Sequence, residues 1–343
     1  MKKPVLVIKL GSASITTDGD IDERIVLELA RQCAQLQSRY NLVLVSSGAV
    51  AAGKRYIPNY RGTLTQRKAA AAIGNPLLIR TYSTYFRPYK IALAQSLCER
   101  HHFANRVQFL QLKQTYETLW KNNIIPIANE NDVVSNKELK FSDNDELATL
   151  IALGFDAEQL LFGTTVAGVL DKQGHVLSKL PTIDKNVLAL ATKAKSAPGL
   201  GGMISKLNFA KLATRMGIRV VIFSVRENDS VLRAVQGETG TLCLPAEKRF
   251  STRNKWLASG SLISGVVKVD TGAIVALKRR GSLLAVGLMS IQRGFEAGEV
   301  IQIEDPSGAV FAVAKAKMDS SDLEQLKDKR NLEIAHADDI VLI

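Results

Sequence analysis

"PVLVIKLGSAS" runs from Pro4 to Ser14 and changes character half-way. Pro4 to Lys9 is a short apolar run without the polar alternation of a half-exposed strand, so it fits a strand buried on both faces. From Lys9 to Ser14 the residues become small and polar. The same change recurs along the chain: "NLVLVS" (Asn41 to Ser46) leads into "SSGAVAAG", "NIIPIA" (Asn123 to Ala128) into "NEND", and "EQLLFG" (Glu158 to Gly163) into "GTTVAG", while "IRVVIFS" (Ile218 to Ser224) is a fifth run. Helix-period segments lie between them. "ERIVLELARQCAQL" places Ile25, Leu29 and Cys33 on one face, and "KLNFAKLATRMG" places Leu207, Ala210, Ala213 and Met216 on a stripe that Gly217 ends. Alternating strands and helices predict an α/β fold of three layers, a parallel sheet with helices on both faces. Ligands of such sheets bind beyond the carboxyl ends of the strands, where the small and polar residues fall.

The chain has 343 residues, long for one domain and comfortable for two. Its formal net charge of +12 raises the question of nucleic acid. From Arg249 onward, however, 13 Lys and Arg face 12 Asp and Glu, so the basic excess belongs to the first 248 residues, where an anionic small molecule accounts for it as well as RNA does. Cys33, Cys98 and Cys243 show neither metal-ligand nor redox spacing, and an odd number argues against a disulfide framework. The apolar run of "MKKPVLVIKLG" is cut by Lys9, too early for a secretory signal, and no later stretch approaches membrane-spanning length. A cytoplasmic protein without a membrane segment is expected.

The strand exits suit anions. Glycine lets backbone approach phosphate, and backbone N–H groups at a helix start are ready donors. "PGLGGMISK" (Pro198 to Lys206) adds three glycines before a helix that carries Lys206 in its first turn. Taken singly, each such loop is equally a strand-to-helix turn that needs glycine for geometry. No P-loop, dinucleotide glycine set or histidine-arginine-aspartate catalytic loop is present. His101, His102, His175 and His336 lack partners at metal-ligand spacing. Beside the third strand, "NENDVVSNKELKFSDND" (Asn129 to Asp145) gathers three aspartates and four asparagines. These residue types are the usual builders of solvated loops, and what surrounds the stretch decides whether it is a loop or a site.

"VIKLGSASI", "VSSGAVAAG", "NNIIPIANENDVV", "FSDNDELATLIA" and "GLGGMISKL", in this order and spacing, resemble the motif set of the glutamate 5-kinase family, whose members have the amino-acid-kinase fold and open proline biosynthesis. The resemblance covers about Lys3 to Leu244. From about Val267, "GAIVALKRRGSLLAVGLMSIQRGFEAGEVIQIED" is similar to the PUA domain, a small β-barrel appended to these enzymes. The division implied is a kinase domain over 1–250, a linker over 251–266 and a PUA-like domain over 267–343.

The resemblance implies ATP-dependent phosphorylation of the side-chain carboxylate of L-glutamate, with Mg²⁺. Lys9 and Lys206 are the implied catalytic residues. Ser47, Asp132 and Asn144 are implied to contact glutamate, with Asn129 and Asp145 supporting them; Asp143 and Asp145 either reach Mg²⁺ through water or cap a helix start, where carboxylates are as often found. The implied nucleotide contacts are Lys9, Gly11, Thr164, Thr165, Leu200, Gly201, Gly202, Met203, Ile204, Ser205 and Lys206. Proline as feedback inhibitor, a homo-oligomer and the next enzyme of the pathway are the implied partners. The chain departs from the family at Thr165, where an aspartate is usual, at Leu200, where threonine is usual, and at Ala13, where a hydroxyl is usual. These departures concern the nucleotide pocket and leave Lys9, Lys206, Asp132 and Asn144 in place. Two rivals stay open: an RNA-binding or regulatory protein that has lost catalysis and acts through the PUA-like end, and another small-molecule kinase of the same fold. Phosphate-monoester acceptors usually call for additional arginines, and the strand exits carry none.

Overall fold

The computed structural model describes residues 3–17, 20–99, 102–103, 106–134, 144–193, 202–246, 263–297, 299–325 and 332–342. Packing divides the chain into two compact units, Met1–Glu99 with Leu112–Arg249, and Arg100–Gln111 with Phe250–Ile343.

In the first unit the principal elements are β1 (Val5–Leu10), α1 (Glu23–Leu36), β2 (Asn41–Ser46), α2 (Ala49–Lys54), α3 (Leu64–Phe86), β3 (Ala92–Cys98), β4 (Ile124–Glu130), α4 (Asn144–Gly154), β5 (Gln159–Thr164), β6 (Lys179–Leu180), α5 (Met203–Arg215), β7 (Arg219–Ser224), α6 (Ser230–Gln236) and β8 (Thr241–Cys243). The strands form one eight-stranded sheet in the order β3-β4-β2-β1-β5-β7-β8-β6. From β3 to β7 all neighbours are parallel, and β8 turns antiparallel against β7. The five sequence-predicted strands are therefore neighbours at the centre of the sheet, with β3 at its edge. Lys9 lies in register with Val45 on one side and Phe162 on the other, which aligns the exits of β1, β2 and β5.

Alternation along the strands separates two cores. Leu6, Ile8 and Leu10 of β1 and Leu42 and Leu44 of β2 pack with Val26, Leu29 and Cys33 of α1, with Leu78, Tyr82 and Phe86 of α3, and with Val231 and Ala234 of α6. On the opposite face α4 packs against β1, β5 and α5, and α5 also packs against β7. Every residue of α4 from Asp145 to Gly154 is buried, as befits a helix with apolar residues all round. Cys33, Cys98 and Cys243 are free thiols and all buried.

Two elements of this unit differ from the sequence expectation. α3 spans 23 residues, yet its buried stripe begins with Ala70, Ala71, Gly74 and Asn75, too weak an apolar signal to read as a core helix. β3 is only partly buried, as an edge strand is, and so lacks the continuous apolar run of the central strands.

The second unit holds a five-stranded sheet in the order Leu288–Arg293, Ile263–Val269, Val300–Glu304, Val310–Lys315, Ile340–Leu342. All pairs are antiparallel except Ile263–Val269 with Val300–Glu304. Its core gathers Val267, Val269, Leu277, Ile301, Ile303, Ala312 and Ile334. The first strand starts at Ile263, four residues before the position expected from sequence, and residues 251–262 of the expected linker lie outside the described residues. The unit also takes in 100–111, a segment that the sequence places within the kinase domain. Among the described residues, no helix is long and apolar enough to cross a membrane.

Candidate active site

Lys9 is the fifth residue of β1 and is buried, an uncommon setting for lysine that demands a partner. The partner is Asp145, in the first turn of α4: its Oδ1 lies 2.6 Å from Lys9 Nζ. Asp145 Oδ2 lies 3.0 Å from Nζ of Lys206, in the first turn of α5. One carboxylate, with its side chain 1% exposed, thus holds two lysines that are 197 residues apart in the chain and sit at 6% and 12% exposure. Lys206 Nζ also approaches the carbonyl oxygen of Gly202 at 3.5 Å, and a Cβ at Gly202 would stand 3.3 Å from that Nζ. The lysine is folded back over the start of its own helix, where unsatisfied N–H groups leave partial positive charge. Two ammonium groups beside a helix start, with one carboxylate between them, make a region of net positive charge suited to phosphate oxygens.

A second cluster stands beside the first on α4. Asn144 donates from Nδ2 to Ser47 Oγ at 2.8 Å, to Asn129 Oδ1 at 2.9 Å and to the Ser46 carbonyl at 3.2 Å. Asn129, the sixth residue of β4, also accepts at Oδ1 from the N–H of Glu130 at 2.9 Å, and its Nδ2 donates to Asn75 Oδ1 at 3.2 Å. Carboxamides can donate and accept at once, which is why a run of them propagates orientation from one to the next. The strand exits are tied together as well: Ser14 Oγ donates to the Gly163 carbonyl at 3.1 Å, Ser47 N–H to the Leu10 carbonyl at 3.2 Å, and Val225 N–H to the Thr164 carbonyl at 3.0 Å.

Of the residues expected from sequence, the structure brings Lys9, Asp145 and Lys206 into one group and Ser47, Asn129 and Asn144 into another, joined through the adjacent positions 144 and 145. Gly11 is next to this group, since a Cβ there would be 3.7 Å from Lys9 Nζ. Thr164 is buried and caps its own turn by accepting from Val166 N–H at 3.3 Å, and Thr165 is half-buried beside it. Gly202, Met203, Ile204 and Ser205 form the turn and first residues of α5. Asp132 follows β4 and is half-buried. Asp143, Leu200 and Gly201 lie outside the described residues. Asp145, read from sequence as a substrate support or a water-bridged metal contact, has both oxygens against lysines. Sequence reasoning missed Asn75; its only signal is a polar residue on the otherwise small and apolar stripe of α3. Among the described residues, no group of three or more His, Cys, Asp and Glu is placed to hold a metal ion.

A surface cleft of about 460 Å³ is lined by Asp20, Glu23, Arg55, Arg80 and Tyr85 and contains none of these residues. Its carboxylates are already engaged, Asp20 by Arg55 at 2.6 Å and Glu23 by Tyr85 at 2.5 Å.

Comparison with known proteins gives an independent measure. Residues 4–224 match the amino acid kinase family and residues 265–337 the PUA domain. Glutamate 5-kinase of Vibrio vulnificus is 33% identical over 363 aligned residues, covering 98% of this chain and 96% of that protein. Glutamate 5-kinase of Citrifermentans bemidjiense is 35% identical, covering 96% of this chain and 91% of its own length. Among solved structures, carbamate kinase from Giardia lamblia bound to AMP-PNP superimposes with a TM-score of 0.51 at 18% identity, over 71% of this chain and 99% of its own, a likeness of fold.

Proposed function

Because the chain belongs to the glutamate 5-kinase family, an amino acid kinase domain followed by a PUA domain, we propose that it transfers the γ-phosphoryl group of ATP to the side-chain carboxylate of L-glutamate. A carboxylate oxygen of glutamate attacks the γ-phosphorus, the bond from that phosphorus to the bridging oxygen breaks, and ADP leaves with L-glutamyl 5-phosphate as product. The observation that carries this reading is the buried Lys9–Asp145–Lys206 group at the carboxyl ends of the central strands.

The division of work follows from the acceptor. A glutamate side chain titrates near ~4.3, so it is already ionised at neutral pH and needs no general base. What remains is to bring two anions together and to neutralise charge as it moves. Lys9 meets the transferring group from the β1 side and Lys206 from the α5 side, with Asp145 setting their separation. Asp132 receives the substrate ammonium, while Ser47 and Asn144 stand at the amino-acid end, supported by Asn129. Gly11, Thr164, Thr165 and the segment from Gly202 to Ser205 face the nucleotide, and Leu200 and Gly201, outside the described residues, are assigned to it by the family resemblance alone. Mg²⁺ would offset the charge of the ATP phosphates, and a site whose buried carboxylate is already engaged by lysines would leave it to be held mainly by phosphate oxygens and water.

The same proposal includes a kinase domain up to about residue 250, a cytoplasmic location, a homo-oligomeric state, association with the next pathway enzyme, and inhibition by proline. Light scattering and a proline titration of initial rates test the oligomer and the inhibition; a monomer, or rates indifferent to proline, would remove them. For the reaction itself, an ATP-dependent hydroxamate assay traps the acyl phosphate. Product is expected with glutamate and little with aspartate or acetylglutamate, and equal turnover of aspartate would sink the substrate assignment.

A further inference from the structure

We propose that Asn75, in the middle of α3, is a positioning residue for the amino-acid site and acts on Asn144 through Asn129. This inference rests on the assignment of Asn144 to the glutamate site. Three carboxamides from three separate elements form a line. Asn75 is 5% exposed and Asn129 3% exposed, so both amides are withdrawn from bulk solvent. Asn129 Nδ2 donates to Asn75 Oδ1 at 3.2 Å, and Asn129 Oδ1 accepts from Asn144 Nδ2 at 2.9 Å. Oxygen and nitrogen therefore alternate along the line, and turning one amide over would set donor against donor or acceptor against acceptor at a neighbouring contact.

The two ends of the line are unusual. Asn75 Nδ2 and Asn144 Oδ1 are both buried and have no hydrogen-bond partner among the described residues. A buried unsatisfied carboxamide atom is a standing cost, and a residue that served only to fill the α3 stripe would avoid that cost as alanine or leucine. The acceptor of Asn75 is what the site uses. It answers the one donor of Asn129 that Glu130 and Asn144 cannot take up, because both of those groups donate to Asn129 Oδ1.

Backbone packing keeps Asn75 in place. α3 crosses α2 so closely that a Cβ at Gly74 would lie 1.7 Å from the Ala49 carbonyl oxygen, and one at Gly53 1.9 Å from that of Ala70. α2 follows directly from Ser47 and Gly48 at the exit of β2. The contact thus fixes the residue after Gly74 with respect to Ser47, the same serine that accepts from Asn144. Asn75 and Ser47 hold the Asn129–Asn144 pair from its two ends.

Asn75→Leu keeps the size and removes the acceptor, Asn75→Ala removes it without steric demand, and Asn75→Asp keeps an acceptor oxygen. Glutamate affinity by calorimetry, KM for glutamate, KM for ATP and melting temperature are measured for each. The Leu and Ala variants are expected to weaken glutamate binding about tenfold, with ATP KM within about twofold of wild type, and the Asp variant to restore glutamate binding to within about threefold. In an Asn129→Ser background, Asn75→Ala should add little, because the connection is already cut. Glutamate affinity within about twofold of wild type in a folded Leu or Ala variant would overturn the relay, as would equal losses for glutamate and ATP or multiplicative losses in the double variant. Wild-type protein that does not bind glutamate would overturn the functional reading and the relay together; binding without a variant effect would overturn the relay alone.

Discussion

Asp145→Asn is the sharpest perturbation of the site because it changes one atom and one charge at a residue that holds two cations. Asp145 presents Oδ1 to Lys9 at 2.6 Å and Oδ2 to Lys206 at 3.0 Å, with all three side chains largely out of water. An amide keeps one acceptor and turns an NH₂ toward the other ammonium, replacing an attraction with a repulsion. Breaking a buried ion pair by removing one partner costs about 3–5 kcal/mol, since the other charge stays buried and uncompensated. In a unit of this size each kcal/mol moves the melting temperature by about 2–4 °C, so a fall of roughly 6–20 °C is expected in a thermal scan. Activity should fall separately from stability. With Lys9 and Lys206 no longer held on one carboxylate, kcat measured well below the new melting temperature should drop about a hundredfold or more, as when a preorganised charge-stabilising group is lost. A surface carboxylate would instead show a change within about half a kcal/mol. A variant with melting temperature within about 2 °C of wild type and kcat within about threefold would refute the view that Asp145 organises the two lysines.

Lys206→Ala should lower kcat about a hundredfold or more while glutamate KM stays nearly constant, the pattern of an interaction made in the transition state; a change confined to KM would assign Lys206 to binding alone. Asp132→Asn removes a charge but not shape, and the loss of about 1.5–3 kcal/mol should raise glutamate KM roughly 10- to 150-fold with ATP KM and melting temperature little changed. An unchanged glutamate KM would return the Asn129 to Asp145 stretch to the status of an ordinary polar loop. Burial pushes the Cys98 thiol up to about 11, against hydrogen bonds with Ser96 and Tyr116 that lower it. An unfolded thiol ionises near ~8.5. The folded protein therefore keeps a proton that the unfolded chain releases, so this contribution to stability is complete below that pH and is lost as pH rises toward about 11. The stability difference between wild type and Cys98→Ala, from denaturant midpoints at pH 7 and above pH 9, should shift with pH in that direction, and a difference independent of pH would contradict it.

What was legible in the sequence was whatever depends on local pattern. The central strands β1, β2, β4, β5 and β7 are buried on both faces, so their apolar runs are continuous and their exits abrupt. α1 and α5 carry stripes at helical spacing: Leu29 and Cys33 of α1 and Leu207, Ala210 and Ala213 of α5 are buried as expected, while Ile25 is only half-buried and Val26 is buried beside it. Contacts between distant segments were not legible. That Lys9 and Lys206 share Asp145 depends on β1, α4 and α5 meeting at one end of the sheet, and no spacing in the chain encodes that meeting. α3 escaped for a different reason: where it passes α2, close backbone approach requires Gly74 and small neighbours, which erases the large apolar residues that announce a core helix. The antiparallel turn of β8 against β7 lies in a three-residue strand, too short to show a period.

On the proposed assignment of Asp145 to the phosphoryl-transfer site, its place also accounts for the lack of an acid–base set in this chain. In a kinase whose acceptor is a hydroxyl, a carboxylate near the transferring group takes a proton. Here the acceptor is itself a carboxylate, and a second carboxylate facing it would repel it. Binding Asp145 through both oxygens to Lys9 and Lys206 removes that conflict, because its charge is spent on the lysines before any substrate arrives. The cost of ordering two long side chains is met in folding rather than at the moment of reaction. Two ammonium groups on one buried carboxylate retain a net positive charge of about one unit, enough to favour phosphate oxygens without requiring an exposed, freely moving lysine. The same geometry makes the site depend on folding: loosening α4 would release both lysines together, so local stability around Asn144 and Asp145 and phosphoryl transfer should rise and fall as one property.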